Sequence, residues 1–233
     1  MEIYSSLKSL SKHKIYSSTL TIGTFDGIHL GHQHLIKNLI DMSSKNNNKS
    51  VIITFSPNPY IVINKQKSSE YHIISNNEKY SLLEDFGVDI LFEIQFDLNI
   101  SEISAINFLK DFIISPFNPS DIIVGYDHHF GYKREGNSDF LIKNCKKYGY
   151  NIHVVEAFEK QGVTVSSSLI RRLISNHEIE SANLLLGKNY KIIGKVIKGS
   201  NIGRSISFPT ANLSISTISQ IIPGDGVYFV KAY

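Results

Sequence analysis

Through the first two thirds of the chain, short apolar runs alternate with stretches whose apolar residues recur every three or four positions. Residues 18–22 read as a first strand, broken by Gly23, Gly27 and Gly31. Beyond Gly31, the residues Leu35, Ile36, Leu39 and Ile40 predict a helix that ends in the Asn46-Asn47-Asn48 loop. Residues 51–55 form a compact apolar strand. Ser56-Pro57-Asn58-Pro59 stops it, because proline cannot donate to a ladder and restricts the residue before it. Residues 64–70 read as a polar surface loop. Ser75 and Glu78 have capping-box spacing, the hydroxyl and the carboxylate each serving a free amide at a helix start. Leu82, Leu83 and Phe86 give that helix its inner face, and Gly87 ends it. A strand over 88–94 follows. Next comes a helix with Ala105, Ile106, Leu109, Phe112 and Ile113 on one face, closed before Pro116. A strand over 121–124 runs into Gly125, a short helix through Leu141 and Ile142 ends near Gly149, and residues 152–155 form another strand.

Repeated strand–helix alternation predicts right-handed crossovers and a mostly parallel sheet covered on both faces. Ligands of such sheets sit at the carboxyl ends of the strands. Three glycine- or proline-rich stretches lie just after strands: residues 23–32, 56–59 and 125–131. Two more helices are expected, one carrying Leu169, Ile170, Leu173 and Ile174, the other spanning residues 178–186 up to Gly187. After Tyr190 the helical period disappears, and residues 190–197 and 226–230 look like strands. This places a domain boundary near Gly187-Lys188, giving domains 1–187 and 188–233. The second has about 46 residues, few for an all-β unit that must stand alone.

Composition narrows the classes. The chain has 233 residues, 42% of them hydrophobic, and 24 basic against 21 acidic residues give a net charge of +3. That weak basicity, with no Arg/Lys stripe, argues against a nucleic-acid partner. No apolar run approaches ~18 residues and no signal-peptide core is present, so a membrane span or export is not expected. Cys145 is the only cysteine, which fits a reducing, cytoplasmic compartment.

The chemistry concentrates in four runs. Gly23-Thr24-Phe25-Asp26-Gly27-Ile28-His29-Leu30-Gly31-His32 puts two imidazoles three apart at a helix entry, where they and the helix amides can meet phosphate oxygens. A zinc site would need further ligands at suitable spacing, and none is evident. Gly125-Tyr126-Asp127-His128-His129-Phe130-Gly131 offers Asp127 to a ribose or amine, or forms a turn whose Asp127 bonds its own backbone. His128 and His129 are expected to face solvent. Ser166-Ser167-Ser168-Leu169-Ile170-Arg171 can cap a helix, and can also hold an anion through Ser167, Ser168 and Arg171. In Gly203-Arg204-Ser205-Ile206-Ser207-Phe208-Pro209-Thr210-Ala211-Asn212, Thr210 and Asn212 share one side if extended. That suits a magnesium–phosphate contact, or the run is a turn between strands.

Taken as an ordered set, these runs and Thr54-Phe55-Ser56-Pro57-Asn58-Pro59 resemble the bacterial bifunctional riboflavin kinase/FAD synthetase family over nearly the whole chain. The resemblance implies an α/β, Rossmann-like nucleotidylyltransferase domain followed by an incomplete antiparallel β-barrel. It implies Mg2+ as cofactor, ATP and FMN as substrates, and riboflavin as a further one. By resemblance, His29, His32 and Arg171 are catalytic, and Gly23, Phe25, Asp26, Gly27, Gly31, Gly125, Asp127, Gly131, Ser167 and Ser168 bind the nucleotide. Phe55, Pro57, Asn58 and Pro59 form a flavin-site loop, while Thr210 and Asn212 hold Mg-ATP in the kinase domain. Ser207 departs from the glycine usual in the family. The family's general-base glutamate would lie beyond Tyr233, so the resemblance implies a kinase site that is incomplete here. Two other readings fit the residues: an enzyme of the same fold acting on another small phosphate, and a non-catalytic flavin- or nucleotide-binding remnant. The sequence carries no signal for an oligomeric state.

Overall fold

The computed structural model describes residues 1–10, 15–65, 71–199, 207, 210–214, 218 and 220–233. Its centre is a six-stranded sheet in the order β1-β4-β3-β2-β5-β6, parallel throughout. The strands are β1 (Glu2–Tyr4), β2 (Ser18–Ile22), β3 (Lys49–Ser56), β4 (Ile90–Gln95), β5 (Pro119–Gly125) and β6 (Asn151–Val155). The expected parallel sheet is therefore present, with an added edge strand at the N-terminus. Three residues are too few for a periodicity to reveal, and β1 exists because it pairs with β4.

Alternation along the strands sends neighbouring residues to opposite faces and two separate cores. Ile52, Leu91 and Ile123 join one cluster, while Val51, Ile53, Ile90, Phe92, Ile122 and Val124 join the other. The first core is roofed by α2 (Leu30–Lys45), α4 (Asn76–Asp85), α9 (Ser167–Ser175) and α10 (Ile179–Leu186), through Leu35, Ile36, Leu39, Leu83, Ile170, Ile174 and Leu186. Helical turns over 105–117 and α8 (Ser138–Tyr148) cover the second core through Phe108, Leu109, Ile113, Phe117 and Leu141.

Several expectations need correction. The helix expected to close before Pro116 instead continues past it, as α6 (Ala105–Phe108), a π-helix (Leu109–Ile114) and α7 (Ser115–Phe117). The widened turn accommodates a proline that lacks its own donor. Part of the loop expected over 64–70 is preceded by α3 (Pro59–Asn64), because Pro59 starts a helix, capped by Asn58, as readily as it stops a strand. Residues 66–70 lie outside the described residues. The hydroxyl half of the capping box forms, Ser75 Oγ accepting from Glu78 N at 3.2 Å. The carboxylate half does not, because Glu78 pairs with Lys188 Nζ at 2.9 Å.

Two short helices, α1 (Leu7–Leu10) and α5 (Leu98–Ser101), and the antiparallel pair β7 (Glu159–Lys160) and β8 (Val163–Thr164) precede Gly187; past it, residues 190–197 contribute only β9 (Val196–Ile197), antiparallel to β10 (Asn212–Leu213). Residues 226–230 are not a strand. They make no ladder among the described residues, and Val227 and Phe229 are fully exposed. No helix among the described residues is long and apolar enough to cross a membrane.

Candidate active site

In the strand order, β2 leads to β3 and β4 on one side, while β5 and β6 lie on the other. The crevice at a sheet's carboxyl edge opens at such a switch point. A cavity of about 560 Å³ lies there, lined by the segments that leave β2, β3, β4, β5 and β6 and by the start of α9.

From the first of these segments Gly23, Thr24, Phe25, His29, Gly31 and His32 line it. Phe25 and Ile28 adopt left-handed backbone (φ 49° and 40°), as does Gly27 at φ 90°. Strain of this kind, at two apolar residues, persists only where surroundings fix it. Both side chains are buried in the first core. His29 is the N-cap of α2, its Nδ1 accepting from His32 N at 3.3 Å. Its ring stacks on that of His32 with centroids 3.7 Å apart. Burial, helped by the nearby Arg171 charge, pushes the His29 pKa down to about 4. Burial, then the charges of His29 and Arg171, holds His32 well below the usual histidine range. Both rings are therefore neutral at pH 7. A neutral imidazole has one donor and one acceptor, and since His29 Nδ1 accepts, its proton sits on Nε2.

The N-terminus of α9 adjoins this turn, Ser167 Oγ donating to Asp26 O at 3.0 Å. Ser166 is the cap of α9 and accepts from Leu169 N at 3.3 Å. Ser167 and Ser168 line the cavity beside it. Two helix N-termini thus face one space, which suits a polyanion. Lys133 and Arg134 add two cations to the lining. Phe55, Phe96, Phe108 and Phe130 also line it, linked by ring contacts of 5.7–6.2 Å. The cavity is thus polar at the helix starts, with a connected run of phenylalanines elsewhere in its lining.

Of the residues singled out in the sequence, the structure brings Gly23, Phe25, His29, Gly31, His32, Phe55, Pro59, Gly125, Asp127, Gly131, Ser167 and Ser168 into the lining. Gly131 must be a glycine, since a Cβ there would meet the Ala105 backbone at 2.7 Å at φ 74°. Asp26 and Arg171 are not in the lining. They form a buried ion pair, Nη2 to Oδ2 at 2.6 Å. Asp26 Oδ1 also accepts from Ile73 N at 2.9 Å, while Arg171 Nε donates to Tyr71 O at 2.9 Å. Gly27, Pro57 and Asn58 are likewise outside the lining, Asn58 being buried as the cap of α3. Thr210 and Asn212 are exposed and are not part of the cavity, and residues 203–206, 208 and 209 lie outside the described residues.

His128 is a correction. It is half-buried in the cavity lining rather than free in solvent: its ring stacks on Phe130 (5.7 Å), its Nε2 is buried, and burial, then the charge of His129, lowers its pKa to about 4. Its neighbour His129 is exposed, as expected. Sequence reading also missed Phe96, Phe108, Glu156, Lys133 and Arg134. The two cations come just after Gly131-Tyr132, a signal that was available, whereas the two phenylalanines are gathered only by the sheet.

Among the described residues no group of three or more His, Cys, Asp or Glu is placed to hold a metal ion. Asp127 and Glu156 both line the cavity. One or two carboxylates fit a magnesium ion that arrives on substrate phosphates rather than one caged by protein.

Comparison with known proteins adds the following. Residues 11–169 match the family model for FAD synthetase, and residues 186–233 match that for riboflavin kinase. The chain is 38% identical over 218 residues to a bifunctional riboflavin kinase/FMN adenylyltransferase of Buchnera aphidicola, covering 92% of this chain and 68% of that protein. It is 32% identical over 231 residues to the protein of that description from Escherichia coli K12, covering 99% and 73%. A crystal structure described as a macrolide-efflux protein from Streptococcus pneumoniae has the same fold, with a TM-score of 0.82, 28% identity, and 94% of this chain and 71% of that one covered.

Proposed function

The chain belongs to the FAD synthetase family and is an FMN adenylyltransferase, and we propose that the cavity at the carboxyl ends of β2 and β5 is where FMN and ATP are joined. An oxygen of the FMN phosphate attacks the α-phosphorus of ATP. The bond from that phosphorus to the β-phosphate bridge breaks, and pyrophosphate leaves with the electron pair. The FMN phosphate is already ionised near neutral pH, so no general base is needed. The protein's task is alignment and neutralisation of developing charge.

The observation that carries this reading is the convergence of two helix starts, His29 capping α2 and Ser166 capping α9, on one cavity. His29, with its proton on Nε2, donates to a phosphate oxygen without adding a permanent charge. His32 stacks behind it and fixes its orientation. Ser168 and the first amides of α9 hold the leaving pyrophosphate, with Lys133 and Arg134 neutralising it. Phe55, Phe96, Phe108 and Phe130 flank the flavin ring, to which aromatic stacking contributes. Asp127 orients the nucleotide. Bound magnesium would be held by the ATP phosphates with Asp127 and Glu156, and would supply charge compensation.

The reading divides the chain into an adenylyltransferase domain (1–187) and a riboflavin kinase portion (188–233), with Thr210 and Asn212 on the kinase side. It makes ATP, FMN and riboflavin the small-molecule partners and the cytoplasm the place of work. Acceptor choice tests it. With ATP, the purified chain should convert FMN to FAD and leave nicotinate mononucleotide and phosphopantetheine unused. Adenylylation of either alternative in preference to FMN would overturn the flavin assignment.

A further inference from the structure

Among the described residues after Gly187, three side chains are buried: Ile218, Gln220 and Ile221. Gln220, fully buried, is an unusual choice for such a position, because an amide there must find all its partners. It does. Its Nε2 donates to Ile73 O at 3.2 Å and to Lys191 O at 2.7 Å, and its Oε1 accepts from Ile193 N at 3.1 Å. Beside it, Ile221 N donates to His72 O at 2.7 Å, and the Tyr190 hydroxyl donates to Ile221 O. The segment around Gln220 is thus fastened to the carbonyls of a strap, residues 71–74.

The other side of that strap is fastened to the active-site turn. Ile73 N and Ile74 N donate to Asp26 Oδ1 at 2.9 and 3.5 Å. Tyr71 O accepts from Arg171 Nε, and the guanidinium lies 3.8 Å over the Tyr71 ring. The Ile73 side chain packs so close to Gly27 that a Cβ there would meet it at 3.2 Å. Asp26 gathers these links: its carboxylate takes Arg171 Nη2, and its carbonyl takes Ser167 Oγ at 3.0 Å. One residue therefore ties the turn that carries His29 to the start of α9, and the strap holds that residue in place.

We propose that Gln220, in the segment that matches the riboflavin kinase family, is a positioning residue for adenylyl transfer, acting through the 71–74 strap on the Asp26–Arg171 pair. The proposal rests on the FMN adenylyltransferase reading. It makes the second module part of the first module's site rather than a passenger. Removing the Gln220 amide leaves Ile73 O buried without this donor and frees Lys191 O, so the strap relaxes and Arg171 loses the anchor at Tyr71 O.

The test is a double-mutant cycle on the full chain, with FAD formation from ATP and FMN as readout. Gln220→Ala is expected to lower kcat/KM for ATP about tenfold and to leave KM for FMN within twofold. Arg171→Lys keeps the cation but removes the bond to Tyr71 O. In that background Gln220→Ala should cost less than twofold, because the link it acts through is already cut. An equal loss in the wild-type and Arg171→Lys backgrounds, or no loss in the wild-type background, would overturn the proposal. If Gln220→Ala does not fold, Gln220→Glu supplies the same comparison, since it keeps the volume and removes both donations. Failure of the wild-type chain to make FAD would instead overturn the function on which the proposal rests.

Discussion

The strand–helix part of the chain and the segment after Gly187 are built on different terms. In the first, β3, β4 and β5 each serve two cores at once, and Leu20, Ile36, Ile52, Ile53, Leu91 and Ile123 are fully buried. The second has one short antiparallel pair and leaves Val227, Phe229, Val230 and Tyr233 exposed among its described residues. What order it has near residue 220 comes from hydrogen bonds onto the first part and from Ile221, which packs into the first core, not from a core of its own. The first part is thus held by apolar burial. The second is registered against it by one buried isoleucine and a few directional contacts, and those from Gln220 and Ile221 reach the strap behind the candidate site.

The largest effect should come from the turn where these two kinds of order meet. On the proposed reading His29→Ala removes a donor to the developing phosphate charge, and loss of such a donor costs on the order of 100-fold or more in kcat. Measured kcat for FAD formation within about fivefold of wild type would break the assignment of that turn.

Next is Gly131→Ala. A Cβ at Gly131 collides with the Ala105 backbone, and the residue's φ of 74° is unfavourable for alanine. Loss of about 2 kcal/mol or more in urea unfolding is expected. Gly162→Ala, at φ 76° with nothing within 4 Å of its Cβ, is the control: it carries the backbone strain without the collision and should cost about 1 kcal/mol. Equal losses at the two positions would remove packing as the reason for glycine at 131.

A smaller effect concerns pH. His29 and His128 have pKa values lowered to about 4, whereas unfolded histidine titrates near 6.5. Between these values the unfolded chain binds protons that the folded chain does not. The stability contribution is therefore complete above about pH 6.5 and is lost as pH falls toward 4. Going from pH 7 to pH 5 should cost on the order of 1–2 kcal/mol per imidazole, read from urea midpoints. His128→Phe should flatten the slope, and an unchanged slope would put His128 in water.

The smallest effect belongs to the exposed end. Phe229→Ser should change the unfolding free energy by less than about 0.5 kcal/mol. A clearly larger loss would mean that this segment has a core contact and that the contrast between the two regions is overstated.

The contrast also explains what could be read in advance. Strands such as β3 and helices such as α2 repeat their pattern over several residues, so their periodicity is visible in the sequence. So is the clustering of glycine, histidine and serine after the strands, because those residue types suit close approach to an anion wherever they occur. Three kinds of feature were not legible. Glu2–Tyr4 is a strand only by virtue of its neighbour β4. Glu78 has the right spacing for a capping box but answers to Lys188, far along the chain. His128 reads as a polar loop residue, yet Phe130 folds beneath it and takes its Nε2 from water. Gln220 belongs with these: nothing in a polar stretch near the end of the sequence announces that its amide reaches the strap behind Asp26. Local pattern reports elements and motif chemistry, while partners distant in sequence are decided by the assembled sheet.

The most direct measurement is a single-turnover reaction of the chain with ATP and FMN, following FAD and pyrophosphate together, for wild type and His29→Ala. The account predicts FAD and pyrophosphate in equal amounts from wild type, and formation at least about 100-fold slower from the folded variant. No FAD from wild type, or equal rates from the two proteins, would contradict it.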